Sequence, residues 1–193
     1  MKICVYGAAS SLIDNHYIEA GIELGKELAK RGHGLVFGGG SHGMMGALAE
    51  GAFEEKGYIL GIIPEFFKEA GAEVSFKNCT EYIYTDTMRE RKRELEENSN
   101  GFIITPGGIG TLDEFFEILT LKQLGRHNKP IAIYNIDGFF DELDAMMEKS
   151  IEKEFITHDC KELYSVFDNK EEMLEYLENY DEKDVDISKV KIR

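Results

Sequence analysis

Residues Pro106 to Glu114 read P-G-G-I-G-T-L-D-E and follow directly on the apolar run Phe102-Ile103-Ile104-Thr105. Glycines lack Cβ, so they let a chain turn sharply and let N–H groups approach a ligand closely. A helix start beyond them adds unpaired donors and a positive dipole end. Gly107, Gly108, Gly110 and Thr111 therefore form a candidate seat for an anion, most often phosphate. Glu114 ends the segment with a carboxylate. Alternatively the segment is a plain turn, and Thr111 with Glu114 is a T-x-x-E capping box in which Glu114 only bonds back to the Thr111 backbone. So many glycines at one strand end exceed what a cap needs.

A second glycine cluster, Gly38-Gly39-Gly40-Ser41-His42-Gly43-Met44-Met45-Gly46, also lies between an apolar run and a helix pattern. Gly39, Gly40, Ser41, Gly43 and Met44 are candidates for a second phosphate loop. Met44 stands where an ATP-binding P-loop would carry lysine. A dinucleotide fingerprint would follow the first strand, where the chain has Gly7-Ala8-Ala9-Ser10-Ser11, and no acidic residue closes Leu35–Phe37 to hold a ribose diol. His42 alone says little, since a loop histidine is more often simply solvated.

The third segment is Met88-Arg89-Glu90-Arg91-Lys92-Arg93, where four of the five residues from Arg89 onward are cationic. Such a run on a helix is usually a solvated face. Here it follows a strand end in a chain of net charge −15. Arg91 or Lys92 can clamp a phosphate or polarise a sugar oxygen.

The elements that position these segments alternate: a short apolar run, a glycine-rich turn, an amphipathic helix. That rhythm predicts an α/β fold, a doubly wound parallel sheet in a Rossmann-like three-layer α/β/α arrangement, with ligands at the carboxyl ends of the strands. Strands are expected at Lys2–Tyr6, Leu35–Phe37, Tyr58–Ile63, Glu81–Tyr84, Phe102–Thr105, Pro130–Tyr134 and Leu163–Phe167. Helices are expected at Asp14–Lys30, after Gly40, at Thr87–Glu97, Thr111–Leu124, Phe139–Lys153 and Lys170–Tyr180. The stretch from Glu65 to Asn78 reads as a short helix and a loop. Residues 1–180 form one domain, and 181–193 a loose tail.

Composition narrows the partners. Apolar residues make up 42% of the 193 residues, an ordinary globular balance. The strong negative charge argues against nucleic acid, whose backbone needs a basic face. It leaves room for a small anion held by backbone N–H groups. The three cysteines, Cys4, Cys79 and Cys160, are odd in number and widely spaced, which fits a reducing compartment. With no apolar stretch of membrane-span length, the chain is expected to be cytoplasmic and off the membrane.

Taken together, the three segments resemble the Lonely Guy (LOG) family, the cytokinin riboside 5′-monophosphate phosphoribohydrolases, long mislabelled as lysine decarboxylases. The family's P-G-G-x-G-T-x-x-E is matched without a gap by Pro106–Glu114. Its M-H-E-R-K is matched by Met88–Lys92, with Arg89 in place of His. Its Y-G-G-G-S-x-G-x-M-G looks like Phe37–Gly46. Ile63-Pro64-Glu65 and Gln123-Leu124-Gly125 agree as well, and the similarity runs from about Lys2 to Tyr180.

The resemblance implies hydrolysis of the N-glycosidic bond of a purine nucleoside 5′-monophosphate, giving free base and ribose 5-phosphate. It implies that Glu114 and Arg91 are catalytic. Lys92 and the stretch Gly108, Ile109, Gly110, Thr111, Leu112 and Asp113 would contact substrate, as would Thr120, and Glu73 in a loosely matched region. No metal or cofactor is implied. A homodimer is, or a higher assembly in some branches, with the site near the interface; the Phe139–Lys153 helix can supply such a surface, although its apolar residues equally well face the sheet, the commoner case. Other Rossmann-like proteins bind nucleotides or a molybdenum cofactor as sensors or carriers without chemistry. A pure binder needs the glycines but not both Arg91 and Glu114, so their joint presence favours the enzyme.

Overall fold

A computed structural model describes residues 1–70 and 75–181 of the chain. Seven parallel strands form one sheet: β1 (Lys2–Tyr6), β2 (Gly34–Phe37), β3 (Ile59–Pro64), β4 (Glu81–Thr85), β5 (Gly101–Ile104), β6 (Ile131–Tyr134) and β7 (Ser165–Phe167). Their order is β4-β3-β2-β1-β5-β6-β7. The helices are α1 (Asn15–Lys30), α2 (Gly43–Glu54), α3 (Glu65–Ala70), α4 (Met88–Glu97), α5 (Ile109–Gln123), α6 (Asp141–Glu152) and α7 (Lys170–Asn179).

Alternation along the strands makes the three layers, because successive side chains leave opposite faces of a sheet. Ile3, Val5, Leu35, Phe37 and Ile103 pack with Leu24 and Leu28 of α1, Leu48 of α2 and Leu174 of α7. Cys4, Tyr6, Val36, Phe102 and Ile104 pack with Leu95 of α4 and with Phe115 and Ile118 of α5 on the other face. Each aliphatic or aromatic side chain so enclosed contributes about 1.5–3 kcal/mol of transfer free energy. The doubly wound sheet expected from the sequence is therefore observed.

Strand order reverses at β1, which lies between β2 and β5. The carboxyl ends of β1 and β5 are thus the switch point where such sheets bind ligands. The loops there are knitted together: Ala8 N donates to Pro106 O (3.1 Å), Met45 N to Ala8 O (3.2 Å), and Thr105 Oγ1 to Tyr6 O (2.9 Å).

Some boundaries differ from those expected. Helix α5 begins at Ile109 because Gly108, in an extended conformation, is its N-cap. The Phe139–Lys153 helix shortens to α6, preceded by a 3-10 turn at Ile136–Gly138. The Leu163–Phe167 strand shortens to β7, preceded by a 3-10 segment at His158–Leu163. Residues 182–193 of the expected tail lie outside the described residues.

Candidate active site

Helix α4 starts on a side-chain cap at Thr87. Thr87 Oγ1 accepts from Glu90 N (3.2 Å), and Glu90 Oε2 accepts from Asp86 N (3.0 Å). This is a Thr87 side-chain cap, with Glu90 bonding the N–H of the residue before it. It sits at Thr87–Glu90 and not at Thr111–Glu114. Thr111 is a buried residue inside α5, and the Glu114 side chain reaches to α4 instead.

The fixed start of α4 sends Arg91 inward. Its Nε donates to Ile62 O (3.1 Å) within β3, and its Nη1 donates to Glu114 Oε1 (3.1 Å). The two side chains are only 7% and 11% exposed, so their attraction is little screened by solvent. Gly38 makes room for the guanidinium: a Cβ there would stand 1.9 Å from Arg91 Nη2.

Burial pushes the Glu114 carboxyl up to about 7, against the pull of Arg91 and, more weakly, of Lys92; neighbouring Asp113 adds to the rise. Desolvation outweighs the ion pair here. Glu114 consequently changes charge near neutral pH, the range in which a carboxylate can both accept and hold a proton.

Arg91 and Glu114 face a cleft of about 350 Å³ at the switch point. This falls within the range of small-molecule sites. Gly108, Gly110 and Thr111 line one side, and Gly7, Ala8, Ala9 and Ser10 of the β1 loop line another. Met45, Phe67 and Met88 make an apolar wall. The start of α5 therefore presents its first N–H groups to the cleft. A Cβ on Gly107 would strike Thr111 Oγ1 at 2.1 Å, whereas Gly108 and Gly110 look onto open space. Gly107 is thus small for the chain's own packing, and the other two leave room in front of the helix start.

The remaining sequence candidates scatter. Lys92 pairs with Asp113 and Glu117 and is absent from the cleft walls. Ile109 is 89% exposed, Leu112 packs toward the core, and Thr120 is exposed further along α5. None of these three lines the cleft. Nor do Gly39, Gly40, Ser41, Gly43 and Met44. Met44 is fully enclosed and faces core neighbours, so it stands as a packing residue and not as a loop contact. Gly39 and Gly43 have positive φ (78° and 60°), and a Cβ on either would meet Ile63 or the Ala8 and Ser10 carbonyls. Ser41 Oγ is buried and finds no partner among the described residues. Glu73 lies outside the described residues. Sequence reasoning missed the β1 loop, Phe67 and the wall position of Met88. Their small or apolar types carry no signal until the strand order is known.

Comparison with known proteins follows the same outline. A family model described as "Possible lysine decarboxylase" matches residues 45–177. A cytokinin riboside 5′-monophosphate phosphoribohydrolase of Arabidopsis thaliana is 35% identical over 93% of this chain and 83% of its own length. A probable enzyme of the same description from Oryza sativa subsp. japonica is 37% identical over 93% of this chain and 78% of its own. Among solved structures, a molybdenum cofactor binding protein from Rippkaea orientalis has a TM-score of 0.68 at 22% identity, covering 92% of this chain and 94% of that one. A molybdenum cofactor carrier protein from Chlamydomonas reinhardtii has a TM-score of 0.65 at 20% identity, covering 92% and 95%. At such identity the structural likeness speaks for the fold alone.

Proposed function

This chain belongs to the LOG family, and on that premise we propose that it is a phosphoribohydrolase, cleaving the N-glycosidic bond of a purine nucleoside 5′-monophosphate to free base and ribose 5-phosphate. The carrying observation is the buried Arg91–Glu114 pair facing the same cleft as the glycine-rich start of α5. The named relatives act on cytokinin riboside 5′-monophosphates, so adenine or an N-substituted adenine is the proposed base.

The geometry supports a simple sequence of events. The 5′-phosphate sits before Gly108, Gly110 and Thr111, where N–H groups and the helix dipole favour an anion. Binding there is remote from the reacting carbon, so its free energy goes into orientation. The sugar then lies toward Glu114, and the base toward Met45, Phe67 and Met88. As the C1′–N bond breaks, positive charge grows on the sugar, and ionised Glu114 stabilises it. A water attacks C1′, its oxygen bonding the carbon as the C1′–N bond breaks, and its proton passes to Glu114; the departing base takes a proton from solvent, and Glu114 returns its own to solvent. Arg91 keeps the carboxylate aimed at the cleft.

The molybdenum-cofactor carriers share the fold, and that likeness stops short of function. The buried Arg91–Glu114 pair on the cleft, which binding alone does not require, favours the enzyme. A homodimer is also proposed. Helix α6 is amphipathic yet encloses none of its residues, and Met146, Phe155 and Phe139 are exposed around it. No helix among the described residues is long and apolar enough to cross a membrane, and a cytoplasmic location is proposed.

The test is direct. The purified protein is incubated with AMP and with isopentenyl-AMP, and with the matching nucleosides. Release of base from a monophosphate, and much slower release from its nucleoside, is expected. No release from any purine monophosphate would refute the proposal.

A further inference from the structure

Glu114 borders two spaces. Its front borders the cleft with Arg91 and Thr111. Its back closes a crevice of about 10 Å³ shared with Tyr6, Lys92, Glu96 and Glu117. Lys92 belongs to that rear space. Its Nζ lies 3.1 Å from Asp113 Oδ2 and 3.3 Å from Oδ1, and it also pairs with Glu117. Asp113 and Glu117 flank Glu114 on α5, at the preceding residue and nearly one turn on. Burial pulls the Lys92 ammonium down, but these carboxylates outweigh it and raise it, so it stays charged.

We propose that Lys92 is a positioning residue for the hydrolysis and not a substrate contact: from behind α5 it neutralises Asp113 and Glu117 and ties α5 to α4, so that Glu114 meets Arg91 as a carboxylate. The proposal rests on the phosphoribohydrolase reading of the cleft. Its physical basis is the crowding of like charge. The groups facing Glu114 are Arg91, Lys92 and Glu96 from α4, Asp113 and Glu117 from α5, and Tyr6 with Cys4 behind it from β1. Without Lys92, Arg91 is the one cation left against three neighbouring carboxylates. Like charges at this range disfavour ionisation. Lys92 Nζ is engaged by carboxylates on α5, and the residue does not line the cleft.

The test compares wild type, Lys92→Met, Lys92→Arg and Asp113→Asn in base release from AMP between pH 5 and 9.5, with thermal melts to check folding. In Lys92→Met the acid limb of kcat/KM is expected to move up by roughly one pH unit, with turnover about fivefold down at pH 7 and largely recovered at pH 9. KM should stay within about threefold, and Lys92→Arg should restore the profile. Asp113→Asn removes a carboxylate beside Glu114, so its limb should move down. A tenfold or greater rise in KM in Lys92→Met with an unmoved limb would make Lys92 a substrate contact and overturn the proposal. A limb moving up in Asp113→Asn would overturn it too, as would failure of Lys92→Arg to rescue. Carbon-13 NMR titration of the Glu114 carboxyl without substrate should show the same directions. That separates failure of this proposal from absence of base release by the wild type, which would fail the phosphoribohydrolase reading itself.

Discussion

Arg91 and Glu114 meet at 3.1 Å across the gap between α4 and α5, and the same guanidinium holds the Ile62 carbonyl within β3. One side chain thus fixes the carboxylate relative to the sheet. Arg91→Lys keeps a charge but loses the fork that serves both partners. A fall in kcat of roughly a hundredfold is expected, with a much smaller change in KM, measured by steady-state base release.

Gly38 offers an independent handle on that geometry. A methyl at Gly38 would stand 1.9 Å from Arg91 Nη2. Gly38→Ala should therefore displace the guanidinium without touching substrate. Turnover is expected to fall about tenfold or more in a protein that still melts cooperatively. Unchanged turnover would mean that the position of Arg91 is not critical.

The ionisation of Glu114 gives a signed prediction for stability. Its carboxyl is raised from 4.5 to about 7 in the folded protein, mainly by burial. The folded state therefore holds the proton more tightly than the unfolded chain does. The associated stability is present below pH 4.5 and lost as pH rises through 7. Glutamine cannot ionise, so the Tm of Glu114→Gln relative to wild type should be higher at pH 8.5 than at pH 5.5, by roughly 2 °C or more. Paired thermal melts check the sign. Activity should run the other way, rising with pH through about 7 as the carboxylate forms.

At the start of α5, Gly108 has room for a side chain, since nothing lies near its would-be Cβ. Gly108→Asp should fold normally and place a negative charge where the 5′-phosphate is proposed to sit. An increase in KM for AMP of about tenfold or more is expected, with Tm within a few degrees of wild type. A KM equal to wild type would move the phosphate elsewhere.

Much of this was legible in the sequence, for physical reasons that differ by residue. The alternation of apolar runs, glycines and amphipathic stretches reflects what a buried parallel sheet requires, so β1, β3 and β6 fall within a residue of their expected limits. Arg91 and Glu114 were legible as types in a pattern, with Arg91 expected either to orient Glu114 or to hold the ribose phosphate side; the contact observed is the first of these. Glycine itself was ambiguous. Gly38 clears space for Arg91, while Gly108 and Gly110 leave open space before a helix. A sequence shows the missing Cβ in both cases and not the atom that needs its room. The same limit hid the cap at Thr87–Glu90 behind the T-x-x-E at Thr111, because both spell one motif. The β1 loop wall emerged only when the strand order put Ala8 and Ser10 beside Gly108. The partnership of Lys92 with Asp113 and Glu117 emerged only when α4 packed against α5.

The most direct measurement sets wild type against Glu114→Gln, with base and ribose 5-phosphate quantified together from one purine nucleoside 5′-monophosphate. Equal amounts of the two products from wild type, and kcat reduced by roughly a hundredfold or more in the variant, are predicted. Turnover by Glu114→Gln close to that of wild type would contradict the account.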